Sequence, residues 1–317
     1  MKDEKSKWVK YGAVFTVIIM VGAIFGLMLG AAGEIFRGDG GWRDSLFGTG
    51  NRPVVLSFDD VPGTHVDFTF RNAIDAVQHI PDGVLAVHIW TVNDAATAQE
   101  IQSTFPGSNA SKIMRATYPT GMLEYIALES SDNVSIALGR NRPHFEYYLG
   151  YSLLVISPNQ RVVVGNPPLI VSMFNPAVDN SLPLRAIDVL FGRTAGSTNL
   201  NEILAFADDV ENFNSITVFR ALDGSDYEMF YQRFSTELNM TTLRASFHLE
   251  TIILRPTPEM RQEVFALAEN AGEGVEFTVT EIGDALRIYI ESSNATNFIR
   301  DRDALYSLVE SHTNQSS

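Results

Sequence analysis

The chain of 317 residues contains no cysteine, which excludes disulfides, cysteine-based zinc sites, thiol nucleophiles and a lipid anchor attached to cysteine. Lysine is also scarce, because Lys112 is the only lysine after residue 10 and the other basic residues there are arginines. The formal net charge is −15; residues 1–10 contribute +2, so the remainder carries −17. A surface this acidic argues against nucleic acid as a partner.

Charge is absent from residues 11–32, an apolar run of 22 residues. At about 1.5 Å per residue, a helix of this length crosses the ~30 Å hydrocarbon layer of a bilayer. Lysines precede the run and mixed charges follow it, so the positive-inside rule places the N-terminus in the cytoplasm. The sequence predicts a cytoplasmic tail over 1–10, a transmembrane helix over 11–32 and a single-pass protein of the cell membrane with extracytoplasmic C-terminal domains. A cleaved signal peptide is the alternative, although its apolar region usually has only about 7–15 residues.

Three small residues recur at intervals of four in this run, Gly22, Gly26 and Gly30, and so define one face of the predicted helix. Such a face allows two helices to approach closely, which predicts a homodimer through the transmembrane helix in addition to contact with the lipid bilayer. Six glycines within residues 33–52 predict a flexible stalk. Five Asn-x-Ser/Thr sites agree with an external glycoprotein: Asn109, Asn133, Asn239, Asn294 and Asn314.

The rest of the chain shows an internal repeat at an offset of 129 residues. Residues 71–118 align without a gap over 200–247, with seven identical pairs that include Asn72/Asn201, Asp94/Asp223 and Arg115/Arg244. Each copy begins with a predicted helix (70–79 or 200–209), a strand (84–92 or 215–222) and a second helix (95–105 or 226–237). The two aspartates, Asp94 and Asp223, are interpreted as N-caps of those second helices.

A strand or hairpin (112–130 and 241–254) follows in each copy, then a helix (about 143–149 and 258–271), and each copy closes with a hairpin (151–165 and 275–291). The predicted fold class is therefore α+β: after the transmembrane helix come two tandem, duplicated, ferredoxin-like α+β sandwich domains. Their predicted ranges are 53–178 and 199–317, joined by a linker over 179–198, and residues 68–178 and 197–310 are expected to superpose.

A search for catalytic motifs yields weak candidates. The sequence Phe58-Asp59-Asp60 resembles the first motif of the polysaccharide deacetylase family, which implies a catalytic base and a metal ligand. However, Val61 replaces the family's glycine and the downstream His-x-x-x-His is absent, so a strand end is the preferred interpretation. Five further residues are of types that bind metals or act in hydrolases, without the usual zinc spacing: His65, Asp67, His79, His88 and His144.

Ser152 lacks a nucleophile elbow, and Lys112, the only lysine available for a Ser/Lys dyad, is expected to be solvated, so no catalytic, cofactor-binding or metal-binding residue is assigned. As a whole, the chain resembles uncharacterised membrane-anchored surface proteins of archaea, methanogens in particular, a resemblance that implies no activity. The sequence favours a non-catalytic binding protein, either a surface glycoprotein or an accessory subunit whose partner is an unknown envelope protein or ligand. The alternative is a membrane-tethered envelope hydrolase acting on peptides or carbohydrates, supported only if several of the five candidate residues converge.

Overall fold

The computed structural model describes residues 55–63, 70, 72–93, 95–128, 134–138, 143–164, 169–174, 179–208, 212–240 and 244–313. The strands are β1 Val55–Ser57, β2 Ala86–Thr91, β3 Ala110–Tyr118, β4 Gly121–Leu128, β5 Ser135–Ala137, β6 Phe145–Tyr148, β7 Tyr151–Ser157, β8 Gln160–Val163, β9 Leu169–Phe174, β10 Ser215–Arg220, β11 Met229–Asn239, β12 Arg244–Leu254, β13 Glu276–Ile282 and β14 Ala285–Ser292. The α-helices are α1 Ala73–Gln78, α2 Ala95–Thr104, α3 Leu182–Leu190, α4 Asn201–Leu204, α5 Pro258–Glu269 and α6 Ala295–Thr313, and a 3₁₀ helix covers Phe58–Asp60.

Twelve of the strands form one antiparallel sheet in the order β13-β14-β12-β11-β10-β2-β3-β4-β9-β8-β7-β6. Strands β1 and β5 make a separate pair. The N-terminal half of the chain supplies β2 to β4 and β6 to β9 to this sheet, and the C-terminal half supplies β10 to β14. The two halves meet where β2 pairs with β10, and His88 lies directly opposite Thr217 in that pairing.

Alternation along each strand divides its side chains between two faces of the sheet, which we call front and back. The front face carries Val87 and Ile89 and belongs to the largest core, which helices α1, α3 and α4 cover. The back face carries His88 and Trp90 and supports two separate cores. Helix α2 covers the first core, which lies on the N-terminal half. Helices α5 and α6 cover the second, which lies on the C-terminal half.

The predicted fold of two tandem ferredoxin-like sandwich domains is wrong. The strands of both halves belong to one sheet, with helices on both of its faces, because β2 and β10 pair with each other instead of ending two separate sheets. Two predicted helices are also strands: residues 226–237 lie mostly in β11 and residues 143–149 contain β6. Helix α6 was not predicted, and residues 179–198, predicted as a linker, contain helix α3.

The two halves contribute strands in similar orders, β2-β3-β4-β9-β8 and β10-β11-β12-β14-β13, each read outward from the central pair. The 129-residue offset places β2 over β10, but the equivalence fails beyond these strands. Arg115 lies in β3, next to β2, whereas Arg244 lies in β12, two strands away from β10. Asp223 lies in a turn before β11 instead of capping a helix, and Asp94 lies outside the described residues.

The description of the chain as a single-pass, cell-membrane protein with a transmembrane helix is also corrected. Among the described residues, no helix combines the length and apolar character needed to cross a bilayer. The predicted helix over residues 11–32 lies outside the described residues, as do its face of Gly22, Gly26 and Gly30 and the predicted stalk over 33–52.

Candidate functional site

The candidate metal and hydrolase residues do not converge within the described part of the chain. His79 follows α1 on the front side, where its Nδ1 lies 2.7 Å from the Asp75 carbonyl oxygen. His88 lies on the back face, and His144 is exposed just before β6. His65 and Asp67 lie outside the described residues. Across the described ranges, no three side chains from His, Asp and Glu are grouped closely enough to hold a metal ion.

The weaker sequence motifs occupy ordinary structural positions. Asp59 and Asp60 are exposed in the 3₁₀ helix that follows β1, with the Asp59 amide donating to the Ser57 hydroxyl. Ser152 is a buried residue within β7. The ammonium of Lys112 lies 5.3 Å from the centre of the Phe213 ring. None of these contacts joins a nucleophile to a general base, which hydrolysis by a serine would require.

The glycosylation sites are only partly described. Asn109 and Asn294 are exposed, and the Asn294 side chain accepts hydrogen bonds from the Thr296 and Asn297 amides at the start of α6. Asn239 lies at the end of β11, whereas Asn133 and Asn314 lie outside the described residues. Use of these sites therefore stays a prediction.

Six polar residues stand side by side across six neighbouring strands on the back face. We call this set the polar row; from β4 to β12 it consists of Glu124, Arg115, His88, Thr217, Gln232 and Thr251. Each member lies directly opposite the next in the strand register. The row extends from the half of the sheet covered by α2 to the half covered by α5 and α6, so it crosses the boundary between the two halves of the chain. Polar groups in such a position require mutual hydrogen bonds, because burial removes them from water.

Neighbouring members of the polar row bond in pairs. The Arg115 guanidinium binds Glu124 with Nε and Nη2 at 3.0 and 2.5 Å from Oε1. The Gln232 amide donates to the Thr251 hydroxyl at 3.2 Å, and Tyr306 of α6 donates to the Gln232 carbonyl oxygen from above. The row is therefore closed at both ends by bonds within the protein.

His88 occupies the centre of the polar row, where its Nδ1 lies 2.8 Å from the Thr217 hydroxyl. The residue as a whole is half-buried, yet Nε2 is fully buried and has no hydrogen-bond partner in the described part of the chain. Burial, together with the nearby positive charge of Arg115, lowers the pKa of His88 to about 3. The imidazole is thus neutral at physiological pH and unsuited to act there as a general base.

A second polar cluster lies on the front face of the C-terminal half. Glu250 of β12 is buried there, with Arg287 Nε and Nη2 at 2.8 and 2.5 Å from its Oε1. Arg233 Nη2 lies 2.9 Å from Oε2, an ion pair without hydrogen-bond geometry. Arg287 also pairs with Asp208, and the Tyr289 hydroxyl lies 3.1 Å from Glu250 and 3.2 Å from Asp208. We call these five residues the Glu250 cluster.

The electrostatics of the Glu250 cluster favour a structural role over a catalytic one. Hydrogen bonding to Arg287 lowers the pKa of Asp208, so this carboxyl group holds no proton to donate near neutral pH. Burial, reinforced by the charge of Glu250, raises the pKa of Tyr289, so the phenol does not ionise to a nucleophile. The charges of Arg233 and Arg287 balance those of Asp208 and Glu250. The pair of Asp208 with Arg287 joins the segment after α4 to the sheet.

A histidine near the end of the described chain makes a third polar contact. His312 of α6 has Nδ1 2.5 Å from an Asp226 carboxylate oxygen and Nε2 3.2 Å from a Glu263 carboxylate oxygen. Burial opposes protonation of His312, but hydrogen bonds and charge from these two carboxylates outweigh it and raise the pKa. The contact joins α6 to α5 and to the loop before β11.

The Glu250 cluster was not anticipated from the sequence, although a signal exists. Arg233, Glu250 and Arg287 are charged residues inside strands that also carry buried apolar residues on the opposite face. Leu249 and Ile253, one and three positions from Glu250, are examples. Charges at alternate positions of neighbouring strands indicate one polar stripe on a sheet face. The strand order is still needed to show that these three charges meet.

Beyond the Glu250 cluster, the front face of the C-terminal half is polar and open to solvent. Glu237, Thr278, Thr280 and Glu291 are exposed, and His248 is half-buried, with Nδ1 3.3 Å from Glu291. We call these five residues the C-terminal front face. Strand β13 forms the outer edge of the sheet beside it.

No protein-family model, curated protein or solved structure matches the chain. The resemblance to archaeal surface proteins therefore stays an expectation from the sequence. The arguments for function rest on the geometry described above.

Proposed function

We propose that the protein acts by binding another molecule through the C-terminal part of its sheet, and not by catalysis. The observation that carries this proposal is the contrast between closed polar clusters and an open polar surface. In the polar row, the Glu250 cluster and the His312 contact, ionised groups are paired within the protein. The C-terminal front face, in contrast, presents mostly exposed side chains on neighbouring strands of the sheet.

The pKa directions support the same proposal. Acid–base catalysis is most effective when a group has a pKa near the working pH. The pKa of His88 lies well below that range, and the pKa of Asp208 is lowered from an already acidic value. The pKa of Tyr289 is raised above its usual value. These shifts move the pKa of each of the three groups further from pH 7, which suits a scaffold better than an active site.

The hydrolase alternative gains no support from the described residues. His79 and His88 lie on opposite faces of the sheet, and His144 is exposed before β6 at its far edge. Three residues so placed do not bind one substrate atom. The binding proposal is therefore retained alone.

A capture experiment tests the proposal. The tagged full chain is incubated with native extract of its source organism, and retained proteins are quantified by mass spectrometry. Thr278→Arg places a large cation on the C-terminal front face and should abolish retention of the partner. Gln102→Arg makes the same change at an exposed position of α2 on the other half and should leave retention unchanged. If nothing is retained above bare resin, or both variants retain the same proteins, the proposal is wrong.

A further inference from the structure

Among the described residues, strand β13 ends the sheet with a regular edge with which no further strand pairs. All seven of its residues pair with β14 without a bulge. The strands are connected by a two-residue turn, Gly283-Asp284, in which the glycine has a φ of 62°. Because the turn has only two residues, the residues that flank it, Ile282 and Ala285, form the first hydrogen-bonded pair. Because such pairs alternate in an antiparallel ladder, the N–H groups of Phe277, Val279 and Glu281 point away from the sheet.

The opposite edge, β6, is built differently. It has four residues, and the sheet next to it is irregular where the β7–β8 register shifts between Val155 and Ser157. Short edge strands and bulges are devices that keep a free edge from pairing. Strand β13 is nearly twice as long and contains no proline, lysine or bulge.

Two of the three residues on the back side of β13 are apolar, and the third is Glu281. Phe277 and Val279 are half-buried and pack against the core beneath α5. On α5, Arg261 pairs with Glu281 of β13 at 3.1 Å, so the helix face that carries Arg261 also overlooks β13. Phe265 follows one turn later on that face and is 37% exposed. A strand added beside β13 would bury Phe265 with the two strand residues.

The front side of the same edge is acidic. Glu276 is exposed on the front side of β13, and Glu273 is exposed just before the strand. Glu291, also exposed, lies opposite Glu276 on β14. A second copy of the chain would bring the same carboxylates to this edge, and like charges repel. A basic partner is favoured by the same field.

We propose that the β13 edge binds an extended segment of a partner protein in which apolar and basic residues alternate. Backbone groups of the segment pair with the outward N–H and C=O groups of Phe277, Val279 and Glu281, as in other strand-addition complexes. Its apolar side chains cover Phe277, Val279 and Phe265, and its basic side chains face Glu276. This inference rests on the proposed binding function and specifies the chemistry of the partner.

A peptide-binding experiment on the full chain tests this inference. The probe is a fluorescein-labelled peptide of about eight residues that alternates lysine and valine, and its Kd is measured by fluorescence anisotropy. Val279→Pro removes an outward N–H at the centre of the edge while sparing the hydrogen bonds to β14, and should weaken binding at least tenfold. Tyr147→Pro is the matched control, because Tyr147 is 61% exposed and occupies the equivalent outward position on β6. It should leave the Kd unchanged.

Charge selectivity provides a second, fold-neutral measurement. A peptide with glutamate in place of lysine should not bind. Glu276→Lys, a change of an exposed side chain, should weaken the lysine peptide about two- to fivefold, as expected for one exposed charge pair. Circular dichroism checks that each variant is folded. If Val279→Pro is not folded, the inference is decided by the Kd of Glu276→Lys for the lysine peptide and by the binding of the glutamate peptide to the wild type.

Several results would overturn the inference. One is that the lysine and glutamate peptides bind equally well, and another is that folded Val279→Pro binds the lysine peptide as tightly as the wild type does. A third is that the chain alone forms a dimer that Val279→Pro abolishes and Tyr147→Pro preserves. The proposed function fails separately, when the capture experiment retains no partner. A partner retained equally by the wild type and by Val279→Pro would leave the proposed function standing and refute the edge.

Discussion

Replacing His88 with glutamine should remove a large part of the acid sensitivity of the folded chain. His88 lies at the centre of the polar row, where burial and the charge of Arg115 hold its pKa at about 3, against 6.5 for an ordinary histidine. The folded pKa is depressed, so the unfolded chain takes up the proton first. Stability is therefore complete above pH 6.5 and is lost as the pH falls from 6.5 towards 3.

The size of the effect follows from the shift in pKa. Each pH unit between the two pKa values costs about 1.4 kcal/mol, so lowering the pH from 8 to 5 should cost about 2 kcal/mol through His88 alone. Glutamine is neutral at every pH, and its amide can still donate to the Thr217 hydroxyl. The carboxylates are identical in both proteins, so their titration cancels in the comparison.

The assay is urea denaturation of the wild type and His88→Gln, followed by circular dichroism at pH 8, 7, 6 and 5. The difference in the free energy of unfolding should move by about 2 kcal/mol in favour of the variant as the pH falls from 8 to 5. A difference that stays constant over this range would show that His88 titrates equally in both states. The assignment of a buried, neutral imidazole at the centre of the sheet would then be refuted.

Three further predictions concern stability and are measured by urea denaturation. His312→Gln should destabilise the protein most in mild acid. Because the pKa of His312 is raised in the folded state, its contribution to stability is complete below pH 6.5 and is lost as the pH rises through the folded pKa. A destabilisation that grows with pH would contradict this. Glu250→Gln should cost about 3–5 kcal/mol by removing the buried partner of two arginines, whereas exposed Asp284→Asn should cost less than about 1 kcal/mol, and equal costs refute the cluster. Gly196→Ala should prevent native packing because its Cβ would overlap the Gln78 carbonyl oxygen, whereas Gly83→Ala meets no atom and should cost only the strain of its φ of 86°, about 1–2 kcal/mol; similar costs would contradict the packing.

Several individual elements could be predicted from the sequence because their signals are local. The first predicted strand of each copy matches β2 or β10, and the closing hairpin over 275–291 matches β13 and β14, including the turn at Gly283-Asp284. Helices α2 and α5 lie within one or two residues of the predicted 95–105 and 258–271. Apolar period and turn residues determine these elements within about ten residues of chain.

The prediction failed where two local signals conflicted. Apolar spacing predicts a helix over residues 226–237, but these residues form most of β11. Phe230, Tyr231 and Phe234 are aromatic residues that suit a strand, and pairing with both β10 and β12 satisfies their backbone groups. The prediction gave the apolar spacing more weight than this strand composition.

The candidate sites depended on long-range pairing that a single sequence does not reveal. The sequence offers His88 as a metal-ligand or hydrolase candidate, but its place between Arg115 and Thr217 follows only from the β3-β2-β10 order. The Glu250 cluster likewise needs β11, β12 and β14 to be neighbours. Residues up to 129 positions apart meet in these sites, and no local pattern specifies such contacts.

The sequence alone determined the exclusion of cysteine chemistry, the acidic charge, strands β2 and β10, and the β13–β14 hairpin, because these depend on composition and short-range backbone preferences. Tertiary structure decided which strands became neighbours. A strand can bury the same apolar side chains in a separate small sheet or in one large sheet, and the difference lies in which edges pair. Pairing of β2 with β10 joined both halves into one sheet, aligned the polar row across it and left β13 as the open edge.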